Sequence, residues 1–302
     1  MSRGIIFLLL ANFFAGAVNP TFVKLGGREI PPLIFTALRF ILATILLLPF
    51  YIKQKEWFSL KDQQAKWILF NSLFFALNVA IYSIAIQHTT VLVSNLTYTL
   101  TPIIVGVLGF FILGERLSRN RIIGTIIAFS GLLFLILQSA SRLNVASFGT
   151  PTGNILMFLS ISLWSAYLVL SKKIHEHYSN LTINFVSFAV SATILTLLIP
   201  FELAYKPLDI NAVTSVGIVS LFGAAIFSSV IFYYFMQKAL KITGAFITSL
   251  FTYTGPLFGI LAAIPIFGEK LTLNLIFGGF LIVVGVFYAT SYSQIKGLLK
   301  FK

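Results

Sequence analysis

Apolar runs of about twenty residues recur along the whole chain, and a run of that length, once helical, matches the hydrocarbon thickness of a bilayer. They fall at roughly 5–23, 32–52, 67–87, 91–113, 121–138, 154–171, 182–201, 214–237, 244–267 and 273–292. Water cannot accommodate so many: 58% of the 302 residues are apolar and 10% are charged, against about 25% charged in a soluble domain. The solvent is therefore lipid. There, backbone N–H and C=O groups must be bonded within the segment, which makes the runs helices. The fold class that follows is an all-α integral membrane protein with ten transmembrane helices. Pro20, Pro102, Pro256 and Pro265 interrupt several runs, which neighbouring helices can absorb. There is no cysteine, so disulfides and thiolate chemistry are excluded. The net charge is +13, but its carriers lie between the apolar runs instead of forming one basic face. That argues against nucleic acid as a partner.

The same charges orient the chain. With the N-terminus inside, the inner segments hold Arg3; Lys53, Lys55, Lys61 and Lys66; Arg116, Arg119 and Arg121; Lys172 and Lys173; Lys238 and Lys241; and Lys296, Lys300 and Lys302, which is 15 of 21. The outer segments hold Lys24, Arg28, Arg142, Lys206 and Lys270, and Arg39 is the one basic residue well inside a run. The three-to-one bias obeys the positive-inside rule and places both termini in the cytoplasm. Ala15-Gly16-Ala17 resembles a signal-peptidase site. The repeat described next needs this segment as a structural member, so the first helix reads as uncleaved.

Adding 154 to a position in the first half reaches its answer in the second. Gly114-Glu115-Arg116-Leu117 becomes Gly268-Glu269-Lys270-Leu271, Asn120 becomes Asn274, Gly124 becomes Gly278 and Gly131 becomes Gly285. Pro102 becomes Pro256, Ala85 becomes Ala239 and Thr89 becomes Thr243. Earlier helices align after a small slip, with Lys24 meeting Lys173 and Pro49-Phe50 meeting Pro200-Phe201. Two units are expected, 1–142 and 143–302, each of five helices. An odd number forces the second unit into the membrane upside down. Inverted repeats serve secondary transporters, because two like units of opposite sense can exchange roles as a site opens to either side.

These residues resemble the EamA family of the drug/metabolite transporter superfamily. The resemblance covers nearly the whole chain. It is most specific in the repeated proline, Gly-Glu-x-Leu and spaced-glycine pattern, in Trp164-Ser165-Ala166-Tyr167 followed by Lys172-Lys173, and in Leu38-Arg39-Phe40. Helix 1 departs from it, with Phe14-Ala15-Gly16 where members often carry tryptophan. The resemblance implies ten helices around a central cavity and transport of small metabolites such as amino acids, often as export.

Arg39 is the first candidate site residue. It lies about 12 Å from the outer end of its helix at 1.5 Å per residue, where an ionisable residue is a functional hypothesis by default. It can pair with a substrate carboxylate or phosphate, or bond helix carbonyls instead. Asn71, Asn78 and Tyr82, spaced by seven and four, share one helical face. Asn95, Tyr98 and Pro102 do the same. Such stripes avoid lipid and line either a cavity or a helix interface, since small polar residues also glue helices together. The substrate-binding set is Arg39, Asn12, Asn78, Tyr82, Tyr98, Trp164, Tyr167, Tyr234 and Tyr253, the aromatics offering a ring face and a polar edge to a small organic ligand. Glu115 and Glu269 read as caps on the following helices. Gly124, Gly131, Gly278 and Gly285 read as close-packing faces, with a homodimer contact left open.

No Asp or Glu lies deep in any run, whereas proton-coupled carriers keep a buried relay. Exchange or uniport is therefore expected. No cofactor and no catalytic residue is expected. HExxH, paired intramembrane carboxylates and a phosphate loop are all missing. His175-x-His177 supplies two metal-capable side chains on an expected flexible loop, too few to define a metal site. The rival classes are a membrane enzyme and a lipid scramblase or sensor. The expected partners are a small-molecule substrate and the lipid bilayer. The expected place is the cell's inner membrane.

Overall fold

The computed structural model describes residues 2–54, 56–89, 94, 97–98, 100–140, 150–255, 257–258 and 273–299, and the described residues are helical with no strand. In chain order, α1 (Ser2–Phe13) passes through a π-helical turn (Phe14–Val18) into α2 (Asn19–Glu29). Then come α3 (Pro32–Lys53), α4 (Ala65–His88), α5 (Thr101–Leu113) and α6 (Arg119–Ala140). The second half has α7 (Pro151–Ile174), α8 (Asn180–Tyr205) and α9 (Ser215–Gly223). A second π-helical stretch (Ala224–Ile231) joins α9 to α10 (Phe232–Thr243). The short α11 (Ala245–Leu250) runs into a 3-10 turn (Phe251–Thr254), and α12 (Leu273–Leu299) follows.

Five helical stretches are long and apolar enough to cross a membrane: Pro32–Lys53, Ala65–Ile86, Pro151–Ile174, Asn180–Tyr205 and Ser215–Thr243. Arg3–Phe13, Thr101–Leu113 and Ile276–Ala289 are shorter apolar helices. This is a multi-pass helical membrane protein. Parts of the expected fourth and ninth spans lie outside the described residues, as do Asn95, Pro256, Pro265, Gly268-Glu269-Lys270-Leu271 and the boundary at 142/143. The first helical path outruns its apolar run. It continues to Glu29, because the backbone ladder continues regardless of the charge on Lys24 and Arg28.

The ends follow from local chemistry. Pro32 and Pro151 open α3 and α7 within the first helical positions, where the first turn has no use for an N–H. Thr150 Oγ1 accepts from the Gly153 N–H at 3.1 Å and Ser179 Oγ from the Thr182 N–H at 3.2 Å, each satisfying an orphan donor. α5 and α10 stop at Gly114 and Gly244, whose φ of +66° and +84° other residues resist. Carboxylates do further capping. Glu202 at the end of α8 accepts from the N–H groups of Leu33 and Ile34 at 2.9 and 2.8 Å, and Glu56 accepts from the Ser179 N–H at 2.8 Å. At the start of α6 the cap is the Ser118 hydroxyl, at 3.4 Å from the Arg121 N–H, rather than the expected Glu115.

Packing joins the halves in pairs: α4 lies on α7, α1 on α10, α3 on α8, and α6 on α12. Polar glue works within the seams. Asn71 Nδ2 donates to Ser171 Oγ at 2.9 Å, and Asn78 Nδ2 donates to the Ser160 carbonyl at 2.7 Å, so one face of α4 locks onto α7. Between α6 and α12 the seam is glycine. A Cβ on Gly124 would sit 2.5 Å from the Gly285 carbonyl oxygen, and one on Gly131 2.8 Å from that of Gly278. Large apolar side chains such as Phe50, Phe111, Leu197 and Phe280 point outward, as lipid permits.

Candidate functional site

Rings gather where the paired helices meet. Phe75 of α4 lies 5.0 Å from both Tyr167 of α7 and Tyr233 of α10. Phe188 of α8 is 5.4 Å from Tyr233 and from Phe40 of α3. Trp164 stacks on Tyr167 at 5.5 Å and meets the Tyr233 ring edge-on at 6.2 Å. Every ring in the cluster is buried. Its polar edges are less content than its faces. The Trp164 Nε1–H is buried with no hydrogen-bond partner among the described residues. A buried donor left so costs roughly 1–3 kcal/mol, unless something else accepts from it.

Arg39 sits beside this cluster, its guanidinium 5.3 Å from the Phe40 ring centroid. Its bonds run outward from the cage. Nε donates to Ser229 Oγ at 2.7 Å, Nη2 to the Ser228 carbonyl at 2.6 Å, and Nη1 to Asn19 Oδ1 at 3.2 Å. Ser228 and Ser229 belong to the π-helical stretch of the α9–α10 rod, and Asn19 follows the π-helical turn of the α1–α2 rod. A π turn widens the helix and diverts carbonyls from the regular ladder, and Arg39 takes up one of them. The two widened segments face each other, with Phe227 stacked against Phe14 at 6.0 Å and Phe22 at 6.4 Å. Arg39 thus ties three rods together. Three of its five N–H donors are spent in doing so.

Tyr82 and Tyr98 meet edge-to-face at 6.2 Å. Tyr98 packs against the apolar core that holds Trp164, Tyr167 and Tyr233. Of the other expected site residues, Tyr253 shares the buried core with Trp164, Tyr167 and Tyr233, and the rest are engaged or exposed. Asn78 is consumed by Ser160, and Asn12 Nδ2 bonds its own helix at Leu8 O, 2.8 Å. Tyr253 is buried in the 3-10 turn after α11. Tyr234 is 41% exposed, and its hydroxyl accepts from Lys238. Tyr233 and Gln237 take the inward positions instead. The signal was available: Tyr233 and Gln237 are four apart, as are Tyr234 and Lys238, and lysine seeks the outer face.

His175, expected on a flexible loop, is buried at the end of α7. Its Nε2 lies 2.8 Å from Gln237 Oε1. Burial and the nearby Lys241 and Lys172 push its pKa down to about 4 against the Gln237 bond. Among the described residues no group of three or more His, Asp or Glu side chains could hold a metal.

The EamA-like transporter family model matches residues 2–137 and again 151–291, and the chain belongs to that family. The family match makes this polytopic helical bundle, with its buried aromatic cluster where the halves meet, a membrane transporter. An "Uncharacterized transporter" of Archaeoglobus fulgidus is 25% identical over 94% of this chain and 96% of its own. A protein of Salmonella typhimurium named "Probable amino-acid metabolite efflux pump" is 24% identical over 95% of each chain. A protein of known crystal structure superposes with a TM-score of 0.75 over 97% of both chains at 19% identity, which establishes the shared fold.

Proposed function

We propose that this protein is a secondary transporter rather than an enzyme, moving an amino acid or related small organic solute across the plasma membrane, by export or exchange, through alternating access. The observation that carries the reading is the aromatic cage at the junction of the halves, with the Trp164 N–H unpartnered and Arg39 the cation beside it. Tyr82, Tyr98, Trp164, Tyr167 and Tyr233 then supply ring faces and polar edges, and Arg39 biases the site toward a carboxylate-bearing solute.

The mechanism needs two inverted five-helix units, 1–142 and 143–302, and the packing supports them. Exchanging first, second and third spans of one unit for those of the other turns the α4/α7 pair into the α10/α1 pair, while α3/α8 maps onto itself. The carboxylate caps answer in kind: Glu202 bonds the start of α3 at one end, and Glu56 bonds the residue before α8 at the other. Both termini lie in the cytoplasm. The Gly124 and Gly285 faces serve the α6/α12 seam, which withdraws them from a homodimer contact. No described carboxylate sits within the cage, so transport runs without a proton relay.

The test is counterflow in proteoliposomes of purified protein, with a panel of radiolabelled amino acids and organic acids. Saturable exchange of at least one solute, weakened in Trp164→Ala at equal incorporation, is expected. No exchange across the panel, or exchange indifferent to Trp164, would remove this reading. A pH gradient that drives accumulation would remove its uncoupled form.

A further inference from the structure

Below the cage, at the end where α7 turns into α8, polar groups are buried as deeply as the rings. Gln237 of α10 is wholly buried. Its Nε2 donates to Tyr167 Oη at 2.6 Å and reaches Ser171 Oγ at 3.5 Å, while its Oε1 lies 2.8 Å from His175 Nε2. The amide orientation fixes the imidazole: Nε2 carries the proton and donates, and Nδ1 is left bare and buried. Ser171 Oγ in turn accepts from Asn71 Nδ2 of α4 at 2.9 Å. One glutamine therefore anchors a network that touches α4, α7 and α10.

The position of this network in the packing gives it meaning. α10 packs chiefly on α1, and α7 chiefly on α4. The contact of α10 with α7 is slight, and among the described residues Gln237 supplies its polar bonds, joined by Lys172 Nζ on the Lys241 carbonyl at 3.3 Å. The seam that Gln237 crosses is the one between two helix pairs that the repeat makes equivalent. Its counterpart under the shift of 154 is Ser83. The Ser83 hydroxyl bonds Val79 O and Thr36 Oγ1, both within its own half, and is too short to cross. Among the described residues, such a crossing amide occurs at this end and not at the position of Ser83.

We propose that Gln237 is the bolt of a gate at the α7–α8 end of the pathway, held shut between Tyr167 and His175 and withdrawn when the α1/α10 pair parts from the α4/α7 pair. The inference rests on the transport reading above. It makes Gln237 a positioning residue that sets which face the cage opens to, not a solute ligand.

The chain is free of cysteine, so a single reporter thiol can be placed. Ser191 lies one turn beyond Ser187, is buried, and bonds only its own helix at 2.8 Å. Purified Ser191→Cys protein in proteoliposomes of sorted orientation would be treated with a membrane-impermeant maleimide from either face. Slow labelling from the α7–α8 face is expected, rising on the order of ten-fold in Gln237→Ala, since two lost buried bonds shift an opening equilibrium by about that much. Labelling from the opposite face should not rise. Tyr167→Phe, which keeps the ring and removes the acceptor, should act in the same direction if Gln237→Ala does not fold. An unchanged rate from the α7–α8 face, or an equal rise from both faces, overturns the gate. Counterflow on the same vesicles separates the two readings: a responsive thiol without any exchanged solute leaves the gate and removes the transporter, and exchange with unresponsive labelling does the reverse.

Discussion

Arg39 shows how a buried charge beside a site can be bound to the scaffold. Its planar fork meets a serine hydroxyl, a diverted carbonyl and an asparagine on two other rods, a geometry that a lysine ammonium cannot reproduce. Arg39→Lys should therefore lose about 1–3 kcal/mol of stability, the cost of stranding the Ser228 carbonyl and the side chains beside it. Thermal unfolding in detergent checks this, and a melting temperature equal to the parent's would mean the fork is not a brace. His175 makes a second residue-scale case. Its folded pKa of about 4 lies below the ordinary histidine value of 6.5, so the folded state prefers the neutral ring. The stability gained by burying the neutral ring is fully present above about pH 6.5 and is lost as pH falls toward 4, because the buried site penalises the charged ring, while the Gln237 bond persists and opposes that loss. The loss is at most about 3 kcal/mol. Lys172 and Lys241 are the charges facing the ring, and both disfavour its protonation. A pH series of unfolding midpoints should show the parent falling between pH 6.5 and 4 more steeply than His175→Asn, which can still donate to Gln237 but does not titrate.

At the scale of elements, the glycine faces of α6 and α12 allow a contrast within one helix. A Cβ at position 285 would lie 2.3 Å from the Ala128 nitrogen, whereas one at 279 meets only Leu257 Cδ2 at 3.4 Å. Gly285→Ala should cost roughly 1–3 kcal/mol through a forced backbone shift. Gly279→Ala should be neutral or stabilising by about 0.5–1 kcal/mol through helix propensity. Equal melting temperatures for the two variants would contradict the close approach. The glycine seam was legible because a spacing of seven puts residues on one face whatever surrounds them. The stripe of Asn71, Asn78 and Tyr82 was legible as a face, but its use was not. Whether an amide lines a cavity or bonds Ser160 depends on what α7 presents, and that is set by packing across 82 residues. The π turns left no mark in sequence, since widening depends on how two rods fit side by side. Nor did the burial of His175: a histidine after Lys172-Lys173 looks solvated until α10 brings Gln237 onto it. The cap at α6 shows a smaller version of the same limit, where Ser118 and Glu115 both had the right chemistry and only the turn geometry chose between them.

The molecule as a whole turns on whether its halves enter the membrane in opposite senses, because only then can one site be presented to each side by the same set of motions. The packing supports this through exchanged pairs, α4 with α7 and α1 with α10, but pairing is a statement about contacts within the protein and says nothing about the two faces of the bilayer. The lysine and arginine bias speaks to the faces, and the two together make a sharp expectation. Ser59 lies between α3 and α4, and Asn211 lies between α8 and α9. Each occupies the connection between the second and third spans of its own unit, and both are exposed. In units of the same sense these two connections would share a face. In inverted units they must lie on opposite faces, Ser59 with the inner lysines and Asn211 outside. With the cysteine-free chain as background, Ser59→Cys and Asn211→Cys, expressed one at a time, give the answer directly. An impermeant maleimide added to intact cells should modify the thiol at 211 and spare the one at 59, and inside-out vesicles should reverse the pattern. Modification of both thiols from the same side would leave the aromatic cage without a mechanism for changing the face to which it opens, and alternating access would have to be given up even if the solute is transported.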